Sequence, residues 1–195
     1  MPMVELGPAS RRMADLIEGV PDELLDAPTP CLDYTLGDLV DHIRRFALAF
    51  TAAAEKDTAG MTSGRAPGDA ASLGDDWRTR IPRDLAALAE AWREPAAWTG
   101  MTMAGGIDLP GELAGIIALD ELVVHGWDVA RASGQDFDQD SESLEAVYEF
   151  VKQFSGAGQE AREGMFGPEV AVSDDAPLLD RIIGLTGRDP GWSPN

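Results

Sequence analysis

The chain has 195 residues, 35 acidic against 15 basic side chains, a formal net charge of -20, two histidines and one cysteine. The length points to one domain with a small appendage, and 44% apolar residues can build a core of ordinary size. Several classes fall away at once. A nucleic-acid surface needs clustered cations to displace counterions, and the only adjacent basic pairs are Arg11-Arg12 and Arg44-Arg45. The apolar runs fall short of the about 18 to 20 residues of a membrane span. Cys31 alone closes no internal disulfide, and the first ten residues lack the basic and apolar regions of a signal peptide, so a reduced, cytoplasmic protein is expected.

In chain order, Met13, Leu16, Ile17 and Val20 recur at helical spacing behind Ser10 as a cap and ahead of Pro21, predicting a helix over about 10–19. Pro28 and Pro30 make the next segment a connecting loop. Thr35 as N-cap, with Asp38 in the first turn, opens a second helix reaching about residue 56. Its apolar stripe is Leu36, Leu39, Val40, Ile43, Phe46, Ala47 and Phe50. Residues 58–74, rich in Gly, Ser, Ala and Pro, read as a mobile loop long enough to carry function. A third helix is predicted over about 81–92, with Pro82 near its start. Residues 98–109 alternate loosely and turn at Gly105-Gly106, as a short hairpin or an extended crossover. Pro110 is expected as the first residue of a fourth helix that runs to about 132 and stops at Ser133-Gly134. A fifth helix over about 141–154 and a last one over 178–185 complete an all-α reading, an up-and-down or crossover helical bundle whose acids mostly form a solvated surface.

The fourth helix is apolar nearly all round, through Leu113, Ile116, Leu119, Leu122, Val123 and Val129 among others, and so is expected to be buried. Glu121, His125 and Asp128 interrupt it. Glu121 and His125 stand four residues apart and share one face, with Asp128 nearly in line. A buried lone carboxylate costs several kcal/mol, so Glu121 must be paired, protonated or bound to a cation. The other histidine, His42, lies on the inward stripe of the second helix. Two imidazoles and a carboxylate from facing helices suit a borderline divalent cation, with a fourth position open to water or substrate. Hydrogen-bonded core histidines and a helix ion pair account for the same residues, and spacing leaves both readings open. Asp128 is a candidate to accept an imidazole N–H, and equally a cap or a partner for Arg131. Cys31, isolated in its Pro-flanked loop, is not expected as a fourth ligand, and Asp41 is expected to face solvent.

The segment LDELVVHGWDVARASGQ, residues 119–135, resembles the signature helix of an actinobacterial branch of the DinB-like and mycothiol-dependent maleylpyruvate isomerase superfamily. TPCLDYTLGDLVDHI, residues 29–43, is similar to its other hallmark, a TPC element ahead of the helix with the first metal-binding His. The tail FGPEVAVSDDAPLLDRIIGLTGRDP is similar to the same branch. The resemblance implies a DinB-like four-helix bundle with a small C-terminal extension from about residue 164. It also implies a metal, commonly zinc, on His42, Glu121 and His125, nickel being an ion such a site would take up during isolation. In the isomerase relatives a low-molecular-weight thiol binds the metal as thiolate, adds to a conjugated double bond, allows rotation and is expelled.

For this chain the resemblance implies a metal- and thiol-dependent transferase or isomerase. Its co-substrate would be mycothiol, its substrate a small electrophile, its reactive species a metal-bound water or thiolate, and its assembly a homodimer. The larger C-terminal domain of the isomerases has no recognisable counterpart, and no thiol-binding Arg cluster stands out. A non-catalytic metal-binding bundle with a structural, ligand-binding or stress-related role is therefore the second expectation.

Overall fold

The structure, a computed structural model, describes residues 3–57, 67–156, 158, 162 and 165–194. Proline placement and capping decide where its helices begin. Pro8 suits a first turn and starts α1 (Gly7–Glu18) ahead of the predicted cap, so that Ser10 is a buried interior residue. Thr35 and Asp38 form a reciprocal capping box, each side chain bonded to the other's backbone N–H, and α2 (Leu36–Glu55) ends at Lys56 in the left-handed region, φ 58. Helix α3 (Trp77–Ala91) begins four residues earlier than predicted. Its buried face is Trp77, Ile81, Leu85 and Leu88, and Trp77 extends that stripe upstream, placing Pro82 inside the helix.

Residues 98–109 resolve as a hairpin, β1 (Met101–Ala104) antiparallel to β2 (Ile107–Pro110). Gly105 and Gly106 both have positive φ, 57 and 80, which a two-residue turn of matching twist requires. Pro110 is the N-cap of α4 (Gly111–Ser133) rather than its first residue. Helix α5 (Ser141–Val151) is shorter than predicted because residues 152–154 tighten into a 3-10 turn. Helix α6 (Leu178–Leu185) has the predicted bounds.

Helices α1 and α2 each pack against both α3 and α4, closing a four-helix bundle, while α5 covers another side of α4 and α6 lies on α5. This accounts for the all-round apolar character of α4, which is buried on both its bundle side and its outer side. Tryptophans tie the layers together. Trp92 Nε1 donates to Phe50 O at 3.1 Å and Trp98 Nε1 to Trp92 O at 2.8 Å, while Thr102 Oγ1 donates to Ala53 O at 2.6 Å and anchors the hairpin on α2.

The loop expected over 58–74 divides in two. Residues 58–66 lie outside the described residues, and the rest is a strap fastened to α2 rather than a loose segment. Asp69 N–H donates to Asp41 Oδ2 at 3.1 Å and Ala70 N–H to Asp38 Oδ1 at 2.9 Å. Gly68 passes so close that a Cβ there would lie 1.9 Å from Asp38 O. No helix of the described residues is long and apolar enough to cross a membrane.

Candidate metal centre

Helices α2 and α4 pack face to face, and their inward stripes bring His42 together with Glu121 and His125. Glu121 Oε2 lies 3.3 Å from His42 Nε2 and 3.1 Å from His125 Nε2. The imidazole rings stand nearly perpendicular, 84°, with centroids 5.1 Å apart. One ligand atom from each of the three residues lies within 4.8 Å of the others, so the group could hold a metal ion. Both histidines are buried, and the Glu121 side chain is only 14% exposed.

The electrostatics follow from that crowding. Burial opposes ionisation of Glu121, but hydrogen bonds from His125 and His42 hold its carboxyl well below the usual range. Burial likewise disfavours a charged His125, yet the hydrogen bonds to Asp128 and Glu121, with their charges, raise its pKa. Asp128, fully buried, lies with Oδ2 2.9 Å from His125 Nδ1. Burial pushes the Asp128 carboxyl up, but the Arg188 guanidinium and His125 together bring it below its ordinary value.

The prolyl loop before α2 forms a wall of this site. Pro28 and Thr35 pair as an isolated antiparallel bridge, and the buried Thr29 hydroxyl lies 2.8 Å from Cys31 O and 2.9 Å from Tyr34 O. The closed loop stacks Tyr34 on His42, centroids 5.2 Å apart at 26°, while Phe46 meets the same imidazole edge-on at 5.9 Å. Cys31 is not isolated. It forms a second group with His125 and Asp128, one ligand atom of each within 4.8 Å of the others. Burial pushes its thiol up to about 11, with Arg188 pulling down and Asp128 pushing up.

Two further expectations change. Asp41 is completely buried, since the strap covers the side of α2 that a helical wheel leaves open, and its Oδ2 accepts from Arg45 Nε and from Asp69 N–H. Arg131 does not reach Asp128; it donates to Trp192 O, and Arg188 takes Asp128 instead. Asp120, which interrupts the same apolar helix, is also buried beside the site. Its Oδ1 is buried without a hydrogen-bond partner among the described residues, and burial, then the Glu121 charge, push its carboxyl up to about 8.

Comparison with known proteins bears on this arrangement. Residues 6–130 match the model of the mycothiol maleylpyruvate isomerase N-terminal domain. The chain belongs to this family. The match takes in the prolyl loop, α2 and α4 as far as Ala130, and so all three candidate donors. Among relatives, the uncharacterized proteins Rv0738 and MT0763 of Mycobacterium tuberculosis, from strains H37Rv and CDC 1551, are each 27% identical over 188 residues. Those alignments cover 92% of this chain and 93% of either relative. Crystal structures of the mycothiol-dependent maleylpyruvate isomerase and of a mutant of it share the fold, with TM-scores of 0.60 and 0.59 at 17% and 16% identity. They cover 81% of this chain and 74% of theirs. This maleylpyruvate isomerase fold is all-α here, a four-helix bundle with a hairpin and a small C-terminal extension.

Proposed function

We propose that the chain binds a divalent cation of the zinc type through His42, Glu121 and His125 and uses it in thiol-dependent isomerisation or transfer on a small electrophile, with mycothiol as the thiol. The observation that carries this reading is the convergence of the three donors. Ligands about 2.0 to 2.1 Å from one tetrahedral ion stand about 3.3 Å from each other, and the two Nε2–Oε2 separations are 3.3 and 3.1 Å. Two imidazoles and one carboxylate suit a borderline cation, and three protein donors leave a fourth position for a reactant. Membership of a family named for a mycothiol-using isomerase supports the thiol part of the reading.

A cation held there supplies Lewis acidity, favouring a thiolate over a thiol near neutral pH and polarising an adjacent carbonyl. The chain's own residues do the rest. Asp128 accepts the Nδ1 proton of His125 and so leaves Nε2 as the donor atom. Tyr34 and Phe46 hold the His42 ring between them, fixing its direction. Glu121 brings the negative charge that offsets the cation. The apolar stripes of α2 and α4 restrict water around it.

The test is a titration of the reduced thiol against metal-free and zinc-loaded protein, together with elemental analysis of protein isolated without chelators or a histidine tag. Stoichiometric zinc, lost in His42→Ala, and thiol binding only in the loaded form are expected. Wild-type protein that retains no divalent metal after reconstitution refutes the reading.

A further inference from the structure

Asp128 holds an ionised carboxylate at zero exposure beside His125 Nδ1, and one imidazole is a poor counterweight for it. The second partner comes from the segment after α6. Arg188 Nε lies 2.8 Å from Asp128 Oδ1 and 3.0 Å from Oδ2, Nη2 lies 2.8 Å from Oδ2, and Nη1 donates to Thr186 O at 3.2 Å. The planar fork therefore spans both carboxylate oxygens, which a point charge cannot do. Its own side chain is 11% exposed. Arg188 follows Asp128 by 60 residues and lies beyond the residues matched to the N-terminal domain family.

We propose that Arg188 is a positioning residue of the metal centre, holding Asp128 in the orientation that keeps the proton of His125 on Nδ1 and its Nε2 lone pair turned toward Glu121 and His42. The inference rests on the metal reading above and adds that the C-terminal extension completes the site. Two observations separate this from mere packing. The guanidinium bonds the carboxylate that faces His125 Nδ1, the ring nitrogen on the side away from Glu121. The other reactive group beside Asp128, the Cys31 thiol, cannot substitute, because a thiol supplies no positive charge. With Arg188 shortened, Asp128 is left with one partner for two buried oxygens and is free to turn away from Nδ1.

The full-length chain carries the test, as Arg188→Ala, Arg188→Lys, Asp128→Asn and the double variant Asp128→Asn/Arg188→Ala, each checked for folding by circular dichroism. Zinc dissociation constants come from competition with a chromophoric chelator at one pH. Exchange of the His125 Nδ1 proton with water is followed by NMR in the zinc-loaded forms. Arg188→Ala should weaken zinc binding about 10- to 100-fold and speed that exchange. Arg188→Lys should recover part of both, and the double variant should lose no more than Asp128→Asn alone. Should Arg188→Ala not fold, Arg188→Lys decides, with intermediate affinity and exchange expected. Wild-type affinity and exchange in the Arg188 variants, or losses that add in the double variant, overturn the inference while leaving the metal reading in place. Wild-type protein that binds no zinc overturns both.

Discussion

Zinc affinity should depend on pH through His125 in a way the structure fixes in sign and size. In the metal-free protein both of its ring nitrogens face carboxylates, Nε2 toward Glu121 at 3.1 Å and Nδ1 toward Asp128 at 2.9 Å. An imidazolium donates from both nitrogens, so these contacts favour the charged ring and raise its pKa against the opposing effect of burial. To ligate, Nε2 must lose its proton. One proton is then released per ion bound wherever His125 starts out charged, which makes affinity rise about tenfold, or 1.4 kcal/mol, per pH unit. Above the raised pKa the slope should flatten.

The stability of the metal-free protein runs the other way. A group whose folded pKa is raised stabilises the fold fully below its unfolded pKa, about 6.5, and that contribution is lost as pH rises through the folded value. Loading with zinc should therefore raise Tm by an increment that widens as pH rises toward the raised His125 pKa and levels off above it. At about 2 to 4 °C per kcal/mol for a domain of this size, the widening is about 3 to 6 °C per pH unit. Chelator competition and scanning fluorimetry at pH 6 to 8, at fixed free zinc, measure both quantities. A dissociation constant independent of pH across that range, with a constant Tm increment, would refute the assignment of His125 Nε2 as a donor.

Gly68→Ala should detach the strap from α2, because the new Cβ meets backbone at 1.9 Å and both Asp69 N–H and Ala70 N–H lose carboxylate acceptors. The expected loss is about 2 to 3 kcal/mol, seen as a lower urea midpoint, and an unchanged midpoint contradicts the strap. Thr35→Ala removes the acceptor of Asp38 N–H at the start of α2 and should cost about 1 kcal/mol by the same measurement. Cys31, its thiol pushed up by burial from 9.0 to about 11, should react with iodoacetamide at pH 7.5 about a hundredfold more slowly than a free cysteine. The rate should still be climbing above pH 9, and a plateau below that pH would show an unburied thiol.

The bundle was legible where helical spacing and capping agreed. The stripe from Leu36 to Phe50 and the Thr35 cap located α2 to within a residue, and the all-round apolar run located α4. The same logic found His42, Glu121 and His125, since polar residues that interrupt a buried stripe point at one another when their helices pack. What escaped the sequence depends on chain segments meeting from a distance. Tyr34 and Cys31 reach the site because the prolyl loop closes on itself through Thr29. Arg188 reaches it across 60 residues, and no local pattern marks such a partner. The helical angle of Asp41 predicts exposure, and the residue is buried because the strap, a separate segment, covers that angle.

The same contacts give the net charge of -20 a local meaning at the centre. Burial and the Glu121 charge push Asp120 up to about 8, which favours its neutral form at neutral pH in the metal-free protein. Glu121 and Asp128 then contribute two negative charges and Arg188 one positive, a deficit that favours the charged form of His125 in the metal-free protein. Replacing that proton by a divalent cation takes the set to one positive charge. In a buried site an uncompensated charge is costly, so the loaded centre should draw a monoanionic fourth partner. A thiolate meets that need and a neutral thiol does not, which ties the charge arrangement of α4 to the thiol chemistry of the family.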